Sequence, residues 1–225
     1  LRATKNATTQ DLAVLTRMKY TWNSVSSRNF CCRVGAEYAF HDIGGHCFYP
    51  KQQDADFLLG FLNTKVFQQF ISTINPTINY QVGDVGSVPL AKAETGSSTT
   101  VGSIVMEIVG LCRDDWNHSE LSWDFLCSPL LRKTGSIDED YQDLLKSSRD
   151  AFFRLHNDEE ELNRIFIEIY GLQDELTPEV PLKDITILQE ELDSDDLEAL
   201  EDEFRAGGGQ PIELPIKRDV VMQQF

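Results

Sequence analysis

Cysteine is scarce and unpaired by spacing: Cys31, Cys32, Cys47, Cys112 and Cys127 are five in 225 residues, with no Cys-x-x-Cys. An odd set without paired spacing argues against a disulfide framework or a zinc knuckle, so reduced thiols in a cytoplasmic protein are expected. Long apolar runs are missing too. The nearest, Ser103 to Leu111, is broken by Glu107 and falls well short of the ~18 residues a membrane helix needs. No secretory signal opens the chain. Serine and cysteine nucleophiles lack any recognisable elbow. Leu1 is not a natural start, and Val220 to Phe225 stops inside an apolar pattern, so both ends are expected to be cut points in a longer polypeptide.

What is present describes a globular chain. Hydrophobic residues make up 41% and aromatics 10%, enough to bury a core and too much for a disordered segment. The net charge of −17 is unevenly spread. Residues 1–100 hold nine basic and seven acidic residues, a net of +2, whereas residues 101–225 hold 11 and 30, a net of −19. Residues 1–51 alone carry +4. Such a chain can turn a mildly basic face to a phosphate backbone while its far end repels one.

Periodicity predicts an α+β fold: a small mixed sheet with packed helices, then a mostly helical region. Phe30–Val34 and Tyr38–Ile43 read as strands, with Gly44-Gly45 as a break. Asp54 is a plausible N-cap for a deeply apolar helical run through Ile74, with Asn63-Thr64 able to cap a second helix and Pro76 ending the unit near Asn75. Tyr80–Val82 and Ser87–Leu90 read as short strands. The expected divisions are 1–92 as an α+β unit, 93–101 as a Ser/Thr/Gly linker, 102–206 as a helical spacer with an acidic stretch, and 207–225 as a glycine linker and the start of a truncated C-terminal helix. Within the spacer, residues 103–117 predict one helix and 138–170 another, stopped by Gly171. The long helix keeps the three/four spacing of a short antiparallel coiled-coil seam.

Several constellations are weighed and set aside as chemistry. Asn75-Pro76-Thr77-Ile78 lacks the second proline and the aromatic of a base-holding Asn-Pro-Pro-Tyr loop and reads as a helix-stop turn. No Phe-x-Gly-x-Gly stretch is present for S-adenosylmethionine, and Gly207-Gly208-Gly209 reads as a linker. His41, His46 and Cys47 lie close, but their spacing favours packing over metal. His41 and Asp42 are adjacent on an expected strand and point to opposite faces. The acidic run Glu190 to Glu203 reads as a solvated helix face, with mimicry of DNA or a basic partner as the other reading. For double-stranded DNA the candidate contacts are Arg17, Lys19, Trp22, Arg28 and Arg33, with Tyr20 and Lys51 nearby: basic groups neutralise phosphates, and arginine also grips guanine.

Thr21-Trp22, Phe40-His41-Asp42-Ile43-Gly44-Gly45-His46, the run Leu58 to Phe67, and Asn75 to Val85 closing on Val88-Pro89-Leu90 resemble the target-recognition domains of type I and fused type II restriction-modification enzymes. That family usually has Ser where this chain has Thr64. Asp115-Trp116, Glu120 to Phe125, Pro129-Leu130 and Leu162 to Leu172 resemble the C-terminal part of the BREX (phage-growth-limitation, PglX-type) adenine-specific DNA methyltransferases. The resemblance implies a parent that transfers a methyl group from S-adenosylmethionine to adenine N6 and so marks host DNA in a phage-defence system. This chain carries neither the catalytic nor the cofactor motifs and is expected to be inactive alone. The implied partners are duplex DNA, the catalytic domain of the same polypeptide, and other defence proteins or a phage inhibitor; no membrane is implied. The alternative is a protein-interaction scaffold of the same complex without DNA contact.

Overall fold

The computed structural model describes residues 17–36, 39, 44–51, 55–92, 95–128, 130 and 136–223. The fold is α+β, as expected. In chain order come β1 (Lys19–Asn23), β2 (Arg33–Gly35), β3 (Gly45–Phe48), α1 (Ala55–Leu62), α2 (Lys65–Ile74), α3 (Val82–Ser87), α4 (Thr95–Asn117), α5 (Ile137–Tyr170), a 3-10 turn (Leu182–Asp184), α6 (Ser194–Ala206) and α7 (Arg218–Gln223). The chain divides into two units: Leu1–Val105 with Ile165–Leu176, and Met106–Arg164 with Thr177–Phe225.

In the first unit the strands pair antiparallel in the order β2-β1-β3. Register sets Thr21 between Arg33 and Cys47, and Tyr20 between Val34 and Phe48. Side chains alternate across a sheet, so Tyr20 and Trp22 share one face and Lys19, Thr21, Asn23 and Arg33 the other. Trp22 is the anchor: its ring lies within 5.7 Å of Phe30 and of His46, and its Nε1 donates to the Tyr80 carbonyl at 3.0 Å. Both side chains of that face are almost wholly buried.

The helical run breaks where Asn63-Thr64 suggested. Thr64 caps α2 by accepting the Phe67 N–H, and Asn75 closes it at the expected place. Gly60 lets α1 approach its neighbours: a Cβ there would lie 2.9 Å from Val105 and 3.1 Å from Val101. Phe57 and Phe61 meet Phe166 at 5.0 and 5.6 Å, and Phe61 stacks on Tyr170 at 5.4 Å. The Tyr170 hydroxyl donates to the Pro89 carbonyl and accepts the Ala91 N–H, pinning the segment after α3.

The second unit packs Phe152, Phe153 and Leu155 of α5 against Val180, Leu182, Ile185, Ile187 and the α6 residues Leu197 and Phe204. Ser136 and Glu139 form a reciprocal capping box at the start of α5. The helix ends in a Schellman motif, with Leu172 N–H on the Ile167 carbonyl and Gly171 at φ 67°.

Four expectations are corrected. Residues 95–101 are not linker but the first turns of α4: Val101 is fully buried, and packing outweighs the weak helix propensity of the Ser/Thr/Gly stretch. Residues 82–87 are helix, capped by Asp84, and not part of two strands around a turn. Gly207–Gly209 is an ordered helix stop, with Gly209 N–H on the Phe204 carbonyl and Gly208 at φ 70°. The first strand predicted, Phe30–Val34, is displaced to Arg33–Gly35 because side chains claim the Phe30 and Cys32 amides. The Tyr38–Ile43 strand and the Asp54 cap fall outside the described residues. No described helix is long and apolar enough to cross a membrane.

Candidate nucleic-acid interface

The sequence-predicted contacts separate into two groups. Lys19 is fully buried, and its ammonium donates to the Ala39 carbonyl at 2.8 Å. Trp22 is held in the core by its indole N–H and its ring neighbours. Burial takes both out of reach of a duplex in this conformation; a strand reads as half-exposed until its cover is known. Tyr20 is likewise buried, its hydroxyl has no hydrogen-bond partner among the described residues, and burial pushes its phenol up. Arg17, Arg28, Arg33 and Lys51 are exposed.

Arg33 stands on the polar face of the sheet and donates through Nη2 to Asn23 Oδ1 at 2.6 Å. Arg28 sits in the β1–β2 connection, where Ser26 Oγ accepts its N–H at 3.2 Å and donates to its carbonyl at 3.1 Å. Side chains from the helices fix that connection. Asn63 Oδ1 accepts the Cys32 N–H and Asn63 Nδ2 donates to the Cys32 carbonyl, both at 2.9 Å. Gln68 accepts the Phe30 N–H at 3.0 Å. The Leu-Asn-Thr motif is thereby explained: Asn63 clasps a loop and Thr64 starts a helix.

A second loop meets the first. Val25 forms an isolated antiparallel bridge with Asn79, flanked by Ser26 N–H on the Ile78 carbonyl at 3.0 Å and Tyr80 N–H on the Ser24 carbonyl at 2.7 Å. Asn75 is the helix-stop turn expected of it: Oδ1 accepts from Thr77 N–H, and Nδ2 donates to the Asn79 carbonyl at 2.8 Å and to Asp84 at 2.6 Å. Val25 and Ile78 stay 55% and 58% exposed. Sequence reasoning missed this pairing, because an isolated bridge between segments 54 residues apart leaves no periodic signal.

His46 packs on Trp22, and Cys47 is half-buried beside it; His41 and Asp42 fall outside the described residues. Among the described residues no three His, Cys, Asp or Glu side chains converge as a metal site. Nor does the triple glycine fit S-adenosylmethionine. It ends a helix, where carbonyls rather than N–H groups are left over.

The second unit is different in character. Burial raises Asp115 to about 6 while its carboxylate accepts the Leu188 N–H at 3.1 Å. Burial first, then Glu107, raises Asp158 to about 6; burial, then Asp184 and Asp158, raises Glu159 to about 7. Arg205 gathers Glu160, Glu201 and the Val180 carbonyl. The connection after α4 shows Trp123 and Leu126 at 92% and 90% exposure.

The class these features define is an α+β module with an acidic helical unit, in which Asn63, Gln68 and Asn75 are spent on main-chain groups while Arg28, Arg33 and Asn79 stay outward. No family model matches the chain. It is 34% identical over 186 residues, 80% of its length, to the adenine-specific methyltransferase PglX of Lacticaseibacillus casei (strain Zhang). It is 27% identical over 160 residues, 70% of its length, to the adenine-specific methyltransferase BrxX of Escherichia coli O9:H4 (strain HS). The chain is thus a BREX-type methyltransferase-related region, as its motifs implied. It spans 15% of the length of the first relative and 13% of the second.

Proposed function

We propose that the first unit reads duplex DNA on behalf of an adenine-specific methyltransferase. The observation that carries the reading is the outward-facing set Arg28, Arg33 and Asn23 on the clasped β1–β2 connection and the strand ends beside it, in a chain related to such enzymes. Arginine serves phosphates or guanine, and asparagine serves adenine. Methyl transfer from S-adenosylmethionine, in the cytoplasm, falls to the rest of the longer polypeptide. Charge supports the division: the acidic second unit repels phosphate and leaves the duplex to the first.

The test is fluorescence anisotropy of the 225-residue chain with a labelled duplex across a salt series. Arg28→Glu with Arg33→Glu is expected to weaken binding and to lower the log–log salt slope by roughly 1 to 2. No binding of any duplex by the chain at low salt, or an affinity and salt slope left unchanged by the double substitution, refutes the reading.

A second reading rests on the second unit. Trp116 at the end of α4 is exposed, and so are Leu121, Trp123 and Leu126 on the connection after it, which is ordered by its own bonds, among them Ser122 Oγ to Asn117 at 2.7 Å. Apolar groups held out in a fixed loop suit docking to another protein, a defence component or a phage inhibitor.

A further inference from the structure

We propose that Asn79, Val25 and Gln81 form a reader of one A·T base pair in the major groove, an inference that rests on the DNA-reading function above. The geometry starts from the bridge. Val25 and Asn79 are opposed with the flanking bonds on either side of them, Ser26 to Ile78 and Tyr80 to Ser24. This is the non-hydrogen-bonded pairing, in which opposed side chains lie on one face at the closer of the two antiparallel spacings. The opposite face is occupied at this point by Tyr80, which is buried against Phe30 at 5.3 Å. Val25 and Asn79 therefore stand outward together, and both are exposed.

The Asn79 carboxamide is held ready. Gln81 Nε2 donates to Asn79 Oδ1 at 2.7 Å, which fixes the amide plane from one side. A carbonyl oxygen accepts two hydrogen bonds, so one lone pair and both Nδ2 protons remain for a ligand. That is the acceptor–donor pair that adenine N6 and N7 require. Its apolar neighbour Val25 lies beside it, suited to the thymine methyl group of the same pair. The backbone beneath is tied at both ends: Asn75 Nδ2 donates to the Asn79 carbonyl at 2.8 Å, and Thr77 Oγ1 accepts the Asn79 N–H at 3.2 Å. The groove cation is at hand in Arg28, three residues beyond Val25, with its backbone fixed by Ser26. Gln81 is a positioning residue; Asn79 and Val25 touch the base pair.

The experiment is selection from a duplex pool with ten randomised base pairs, using the 225-residue chain and the variants Asn79→Ala, Val25→Ser and Gln81→Ala, followed by affinity measurement on the enriched duplex. The expected result is an enriched sequence with at least one fixed A·T pair. Asn79→Ala loses the preference at that pair alone, by roughly 5- to 150-fold, and still binds bulk duplex with the wild-type salt slope. Val25→Ser relaxes the same position, and Gln81→Ala does so more weakly. An enriched sequence that all three variants select unchanged overturns this inference and leaves the DNA-reading function standing. A wild-type chain that binds duplex but enriches nothing overturns the inference too. Failure of the wild-type chain to bind any duplex overturns both.

Discussion

Removing the Asn63 side chain isolates one element of the first unit. Asn63 makes three bonds to main chain: from the Cys32 N–H, to the Cys32 carbonyl, and to the Leu59 carbonyl at 3.0 Å. Cys32 is 4% exposed, so water reaches its backbone poorly once the amide is gone. A buried unsatisfied donor or acceptor costs about 1–3 kcal/mol. Two such groups, partly relieved because Asn63 lies at the surface, give a loss of about 2–4 kcal/mol for Asn63→Ala. For a chain of this size each kcal/mol moves Tm by about 2–4 °C, so thermal unfolding followed by circular dichroism should fall by roughly 5–15 °C. Asn63→Asp is the sharper probe. It keeps the shape and the acceptor for Cys32 N–H, but sets a carboxylate against two carbonyls. It should therefore be at least as damaging at pH 7 as the alanine. A Tm for Asn63→Asp within 1 °C of wild type refutes the clasp.

Two further outcomes follow from the packing and the acids. Gly60→Val should destabilise by about 2–3 kcal/mol, because its first carbon already presses on Val105 and Val101, and overpacking outweighs the small helix gain from losing glycine; denaturant unfolding reads this as a lower midpoint at constant slope. Asp115, Asp158 and Glu159 all have folded pKa values raised above the ordinary carboxylate range, so the folded state binds more protons than the unfolded one. Their contribution is fully present below about pH 4 and is lost as pH rises through 6 to 7. Tm should therefore climb on going from pH 7.5 to 5.5, and Glu159→Gln should flatten that climb; a Tm that stays level or falls in the wild type contradicts it. Asp193, lowered by the Asp195 N–H and Lys217, acts in the opposite sense only at more acid pH.

Legibility followed the range of the interactions. The α1–α2 break, the Asn75 stop and the span of α5 were readable because capping and three/four periodicity are local. Strands of three to five residues were not, since their limits are decided by partners far along the chain. Lys19 and Trp22 show the same cause at the candidate interface: a basic or aromatic residue near a polar cluster looks available until Ala39 or Tyr80 supplies its acceptor. Arg28 and Arg33 carried the same signal and stay exposed. The α4 start was missed because small residues that look like a tether also suit a tightly packed helix.

The loops of the first unit are held through their main chain. Asn63 grips the backbone of residue 32, Gln68 that of 30, Trp22 that of 80, Asn75 that of 79 and Lys19 that of 39. Phe30, Cys32 and Tyr80 are also buried in the core, whereas the side chains of Asn23, Val25, Arg28 and Asn79 are exposed and owe the scaffold little. Residues 23, 25, 28 and 79 can change identity while the same carbonyls and amides keep the loops in place. A lineage pressed to alter the DNA sequence it marks could do so one side chain at a time, with folding cost close to zero at each step.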